Sequence, residues 1–170
     1  MKQRNIARIV LCLLAAVMGV LLCFALSRHN AKYASIKQLP KLKALTLYGD
    51  TLDVYECMDT TKRTALFFFH PECEYCRKEL EGILARHSEC RNVQWLFITL
   101  APAEEVETFL MEYPLESIPD AYVLREDWPD NHKLFGVKGP PALFIYDENG
   151  KLMVRHMGAT SIKTIVQELQ

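Results

Sequence analysis

Cys73-Glu-Tyr-Cys76 carries the clearest chemical signal in the sequence. Two thiols separated by two residues support redox exchange, in which one sulfur attacks a substrate disulfide and the other resolves the mixed disulfide. They can also supply half of a zinc site, which then needs a second cysteine pair or two closely spaced histidines. Neither partner is present, so redox exchange is the stronger reading, with an inert structural disulfide or a metal site as the alternatives. Residues 64–69 (TALFFF) before the pair read as a strand buried on both faces. A helix over about 72–87 should come next, with Leu80, Ile83 and Leu84 on its apolar face. Cys73 then falls at the helix N-terminus, where unpaired N–H groups and the helix dipole favour a thiolate. Cys76 lies one turn later on the same face.

The elements that must hold this unit are legible on either side. Residues 45–55 alternate around Gly49-Asp50 and predict a β-hairpin. Residues 93–100 (VQWLFITL) predict a second buried strand, and Pro102 opens a helix with Val106, Phe109 and Leu110 inward. A short strand over 121–124 and a short helix over 131–135 come after it. Residues 142–146, a turn at 147–150 and residues 151–156 form a second hairpin. Ser161 caps a last helix carrying Ile162, Ile165, Val166 and Leu169. Strands alternating with helices, then a hairpin and a helix, predict an α/β sandwich around a mixed sheet. Trp95 and Phe67 to Phe69 belong to its core.

The chain has 170 residues, 50% of them hydrophobic, with 20 basic and 21 acidic side chains. A formal charge of −1 gives no electrostatic case for nucleic acid, and 24% charged residues exclude a disordered chain. The averages conceal a split. Residues 1–26 hold 20 apolar residues, three basic ones (Lys2, Arg4, Arg8) and no acid, and residues 9–26 are uncharged. An 18-residue uncharged run is at the lower limit of a membrane span and longer than the core of a cleaved signal. It is read as an uncleaved signal anchor in preference to a signal peptide cleaved after Ser27. A lipoprotein signal is disfavoured, because Cys12 and Cys23 each follow a leucine. These two cysteines are expected in lipid as small apolar side chains. Arg28, Lys32, Lys37, Lys41 and Lys43 come after the span, so the positive-inside rule decides little. An N-terminal span with no second one after it still exports the rest of the chain. Residues 27–44 read as a basic, unpatterned tether, and residues 45–170 as the folded domain.

The strand-Cys-x-x-Cys-helix unit, the hairpins and Gly139-Pro-Pro-Ala-Leu-Phe-Ile-Tyr-Asp-Glu-Asn-Gly150 resemble the thioredoxin superfamily. The likeness is to its membrane-anchored, extracytoplasmic reductases of the cytochrome c maturation type, with an extra helix-strand insertion at about 102–125. The resemblance implies a thioredoxin-like three-layer sandwich that exchanges thiols and disulfides with exported proteins and needs no cofactor beyond its own cysteines. It implies a cis peptide bond before Pro141, exposing backbone beside the cysteine pair for a substrate strand. Pro140, Pro141 and Tyr75 would then form the docking side. Family members often carry an acid three residues after the second cysteine, and Glu79 matches. It is either a partly buried acid with a raised pKa that accepts the Cys76 proton, or a solvated acid paired with Arg77 or Lys78. Electrons would come from a membrane or periplasmic donor, and the protein would sit in a bacterial inner membrane through residues 9–26, its domain in the periplasm.

Three departures shape the expectation. Glu72 stands where the family usually has tryptophan. Pro140 has no N–H, so one of two backbone hydrogen bonds to a substrate strand is missing. Glu72 and Glu74 flank Cys73 with negative charge, opposed by His70, Arg77 and Lys78, which favours a reductant or isomerase over a strong oxidant. Cys57 and Cys90 either pair in the oxidising compartment or remain free buried thiols. The rival from another class is a copper-binding or redox-inactive chaperone module. His70, His87, His132 and His156 invite the copper reading, but surface positions are expected for His132 and His156. His70, three residues before Cys73, stands where peroxiredoxins have threonine or serine, which disfavours peroxidase activity.

Overall fold

The two apolar runs of the sequence form the centre of the sheet because side chains on both faces of each are covered. The computed structural model describes residues 13–25, 34–56, 58–127 and 130–169. β3 (Arg63–Phe69) and β4 (Val93–Thr99) pair in parallel, with Leu66 opposite Leu96 and Phe68 opposite Ile98. β5 (Ala121–Arg125) adds in parallel beside β4. β6 (Ala142–Tyr146) pairs antiparallel with the other side of β3, and β7 (Leu152–Met157) antiparallel with β6. The hairpin β1 (Lys43–Leu45) and β2 (Thr51–Asp53) closes the far edge, giving the order β2-β1-β5-β4-β3-β6-β7. The mixed sheet and α/β architecture are those expected.

The helices cover both faces. α1 (Glu74–Arg86), α2 (Ala103–Glu112) and α4 (Ile162–Leu169) lie on the face formed by Phe67, Phe69, Trp95 and Phe97. α3 (Asp130–Phe135) covers the other, where Phe68, Phe135 and Phe144 make tilted or edge-to-face contacts at 4.7–5.8 Å. α2 and β5 are the expected helix-strand insertion. α1 starts two residues later than the predicted 72, because Cys73 is extended (φ −79°, ψ 108°) and its N–H closes a turn onto the His70 carbonyl at 3.0 Å. Ser161 caps α4 as expected, its Oγ accepting the Thr164 N–H at 3.2 Å.

The folded domain begins earlier than the predicted residue 45. Ile36, Leu39 and Leu42 are buried in the α3-side core, the Tyr146 hydroxyl donates to the Ile36 carbonyl, and Gln38 bridges to Lys151. Three apolar residues at a spacing of three among lysines are enough to bind this segment to the sheet. The chain divides into two units, residues 1–35 and 36–170. In the first, residues 13–25 are helical with every side chain exposed, Cys23 included; Cys12 lies outside the described residues. Among the described residues, no helix is long and apolar enough to cross a membrane.

Candidate active site

The sheet register assembles the site at the C-terminal end of β3. Phe68 faces Ala142 across the antiparallel β3–β6 pair, so Pro141, one residue earlier, lies beside the β3–α1 turn. The Pro140–Pro141 peptide bond is cis. The Pro141 carbonyl accepts the Gly158 N–H at 2.9 Å, which ties the end of β7 to the same corner. Two distant segments thereby meet at the cysteine pair.

Cys73 is the N-cap of α1, and its partly exposed Sγ accepts the Cys76 N–H at 3.2 Å. A sulfur accepting an N–H at the positive end of a helix is suited to carrying negative charge. The same Sγ lies 3.8 Å from the Pro140 carbonyl oxygen, to which the neutral thiol can donate. The turn is pinned from behind. Arg77 Nε donates to the Pro71 carbonyl at 2.7 Å, and the Glu72 N–H reaches His70 Nδ1 at 3.3 Å. Arg77 is thus an anchor for the turn as well as a charge opposing Glu72 and Glu74. Lys78 pairs with Glu74 at 2.7 Å on the exposed side of α1.

Cys76 is fully buried. Burial pushes its thiol well above the ordinary range, and the sulfur of Cys73 and the carboxylate of Glu79 add to the rise. Glu79, one turn further along α1, is 5% exposed and not paired with Arg77 or Lys78. Its Oε2 accepts the Thr160 N–H at 3.1 Å, and its Oε1 is buried without a hydrogen-bond partner. Burial raises the carboxyl to about 7, against the lowering effect of the Thr160 N–H and of His156. Tyr75, between the cysteines, is 66% exposed.

The remaining expectations are met unevenly. Cys90 is a buried free thiol, raised by its burial, while Cys57 lies outside the described residues. His132 is not on the surface. It is 8% exposed, 3.3 Å from the buried Glu126 and edge-on to Phe68 at 4.8 Å. The six-residue α3 presses it onto the sheet, a placement that its polar neighbours in sequence conceal. His156 is engaged by Glu168 at 2.9 Å, and His87 Nδ1 by the Leu84 carbonyl at 2.9 Å. Among the described residues, no group of three or more His, Cys, Asp or Glu is placed to hold a metal ion. A cleft of about 730 Å³ lined by Arg63, Arg91 and Glu148 lies at the opposite end of β3 from Cys73.

A family model for the thioredoxin-like domain matches residues 53–170, and the chain belongs to that family. No curated protein matches it. Among solved structures it is similar to the Mycobacterium tuberculosis protein DsbF in mixed oxidised and reduced forms. That likeness has 20% identity and a TM-score of 0.65, over 80% of this chain and 95% of that one. It is similar to a secreted M. tuberculosis disulfide oxidoreductase homologous to Escherichia coli DsbE, at 20% identity and TM-score 0.63, over 76% and 94%. A thioredoxin-like protein from Porphyromonas gingivalis is 25% identical with a TM-score of 0.62, over 78% and 92%.

Proposed function

We propose that the chain catalyses thiol–disulfide exchange on exported proteins, with Cys73 as nucleophile and Cys76 as resolving thiol. One observation carries the reading: a partly exposed sulfur at a helix N-terminus, 3.8 Å from the carbonyl oxygen of Pro140, whose bond to Pro141 is cis. In the reduced protein, the Cys73 thiolate attacks one sulfur of a substrate disulfide. A Cys73–substrate bond forms, and the other substrate sulfur leaves as a thiolate and takes a proton from water. Cys76 then passes its proton to ionised Glu79, and its sulfur attacks that of Cys73. The Cys73–substrate bond breaks, with its electron pair going to the substrate sulfur, and the Cys73–Cys76 disulfide remains. Two electrons have reached the substrate, and a dithiol donor in the membrane or periplasm restores the pair.

Pro140, Pro141 and Tyr75 present the docking side. Pro140 offers an approaching strand a carbonyl oxygen and no N–H. Glu72 and Glu74 beside Cys73 oppose a permanently stabilised thiolate, which supports a reductant or isomerase over a strong oxidant. The exposed apolar side chains of helical residues 13–25, together with the basic residues before them, support an uncleaved anchor in a bacterial inner membrane with the domain in the periplasm. In a dithiothreitol-driven insulin assay, the full-length chain in mild detergent is expected to accelerate B-chain precipitation, and Cys73→Ser to run at the uncatalysed rate. Undiminished turnover by Cys73→Ser would overturn the proposal.

A further inference from the structure

The exchange cycle assigns no part to two buried titratable side chains, Glu126 and His132. Glu126 directly follows β5, and its N–H donates to the Thr99 carbonyl at 2.9 Å, which fixes its backbone to β4. The residue is 4% exposed, and its Oε1 lies 3.3 Å from Nδ1 of His132 on α3. Among the described residues, neither carboxylate oxygen nor Nδ1 has a hydrogen-bond partner, so this approach is the one polar contact that either group makes. Replacing a buried polar pair of this kind by apolar side chains of similar size is often neutral or stabilising. The pair is therefore poorly explained as a source of stability, and its place in the fold indicates what else it sets.

His132 joins that anchored point to the docking side. Its carbonyl accepts the Val137 N–H at 2.8 Å, and the Gly136 N–H donates to the Lys133 carbonyl at 3.2 Å. Gly136 adopts φ +68°, the left-handed conformation that ends a helix, so α3 stops there and the chain runs through Val137, Lys138 and Gly139 to Pro140. The His132 ring stands edge-on to Phe68 at 4.8 Å, and Phe68 pairs with Ala142, the residue after Pro141. One residue thus holds the segment entering Pro140 and rests on the strand beside the segment leaving Pro141. We propose that Glu126 and His132 are positioning residues for substrate docking, a buried clamp that sets where the Pro140 carbonyl lies over Cys73. The inference rests on the proposed exchange reaction, in which that carbonyl, 3.8 Å from the Cys73 sulfur, receives a substrate strand. Asn131 Nδ2 also fastens α3, to the Lys43 carbonyl at 2.9 Å, and Phe135 buries itself in the core, so the helix is expected to stay folded without the clamp.

The test is amide hydrogen exchange of the full-length chain in detergent, read at Gly158, whose N–H is held by the Pro141 carbonyl at 2.9 Å. The double variant Glu126→Leu, His132→Leu removes the polar contact and keeps an apolar filling. It is expected to melt at the wild-type temperature or above, yet to exchange Gly158 about ten-fold faster, with Leu96 in β4 unchanged. Glu126→Gln can pair with Nδ1 whichever ring nitrogen carries the proton, so it should exchange Gly158 at the wild-type rate. Unchanged Gly158 exchange in the double variant, or equal acceleration in Glu126→Gln, would overturn the proposal. A double variant that fails to fold, or whose acceleration extends to Leu96, would overturn it too, by making the pair an ordinary source of stability. In insulin reduction the double variant should raise KM about five-fold at unchanged kcat, the loss expected of one substrate hydrogen bond. Its reduced form should meanwhile react at the wild-type rate with hydroxyethyl disulfide, which is too small to dock as a strand. A wild-type KM for insulin would count against the clamp. Gly158 exchange is read whether or not the protein reduces disulfides, so its failure is distinct from failure of the insulin assay with Cys73→Ser.

Discussion

Glu79 is the residue at which chemistry and stability pull apart. As the proposed proton acceptor for Cys76 it must ionise near neutral pH, yet the fold buries this carboxyl and raises it from 4.5 to about 7. Because the folded value is the higher one, the stability it contributes is complete below about 4.5 and is lost as pH rises through 7. Between those values the native state binds a proton that the unfolded chain has released, so unfolding free energy falls with pH. Glu79→Gln keeps an oxygen for the Thr160 N–H and has no such dependence. Denaturant titrations at pH 4 and pH 8 should therefore show wild type losing on the order of 2 kcal/mol relative to Glu79→Gln. A constant difference would mean that the carboxyl titrates normally. At this scale the N-cap position of Cys73 and the cis bond before Pro141 are readable from sequence because both follow from local spacing and family likeness. Whether Glu79 is buried or solvated is not readable, since the answer comes from Thr160, about 80 residues away. His156 and Glu168 leave no local signal at all; only the packing of α4 against β7 unites them.

At the scale of elements, α1 carries the buried Cys76 and Glu79 one turn apart and packs against α4. Gly82 faces α4 closely: a Cβ there would stand 3.0 Å from the Ile162 Cβ. In an open helix, Gly→Ala gains about 1 kcal/mol, and here the contact opposes that gain. Gly82→Ala is expected to be less favourable by about 1 kcal/mol in wild type than in an Ile162→Ala background, a coupling that a double-mutant cycle in urea would measure. Additivity of the two substitutions would show that α4 yields freely. Element types are legible wherever the apolar pattern is long, as in β3, β4, α1 and α4. The start of the domain is not, because Ile36, Leu39 and Leu42 sit singly among lysines with neither a strand nor a helix pattern. Their burial depends on β6 and the β6–β7 turn, which receive them from more than 100 residues away.

For the whole molecule, that early segment decides what can be detached. A chain starting at residue 34 is expected to melt at the wild-type temperature, whereas one starting at residue 45 loses three buried side chains, each contributing about 1.5–3 kcal/mol. Equal melting temperatures for the two would contradict the packing of residues 36–42. In the domain, the corner that holds the cysteine pair is built from the end of β3, the start of β6 and the end of β7. The whole account depends on the division of labour between an accessible sulfur and a buried one, and trapping tests it most directly. With Cys76→Ala in the full-length chain, attack by Cys73 cannot be resolved, so mixed disulfides with exported proteins should accumulate in cells and disappear on reduction. The corresponding Cys73→Ala variant, left with a buried Cys76, should accumulate none. Equal trapping by both variants, or trapping by Cys73→Ala alone, would contradict the assignment of Cys73 as nucleophile.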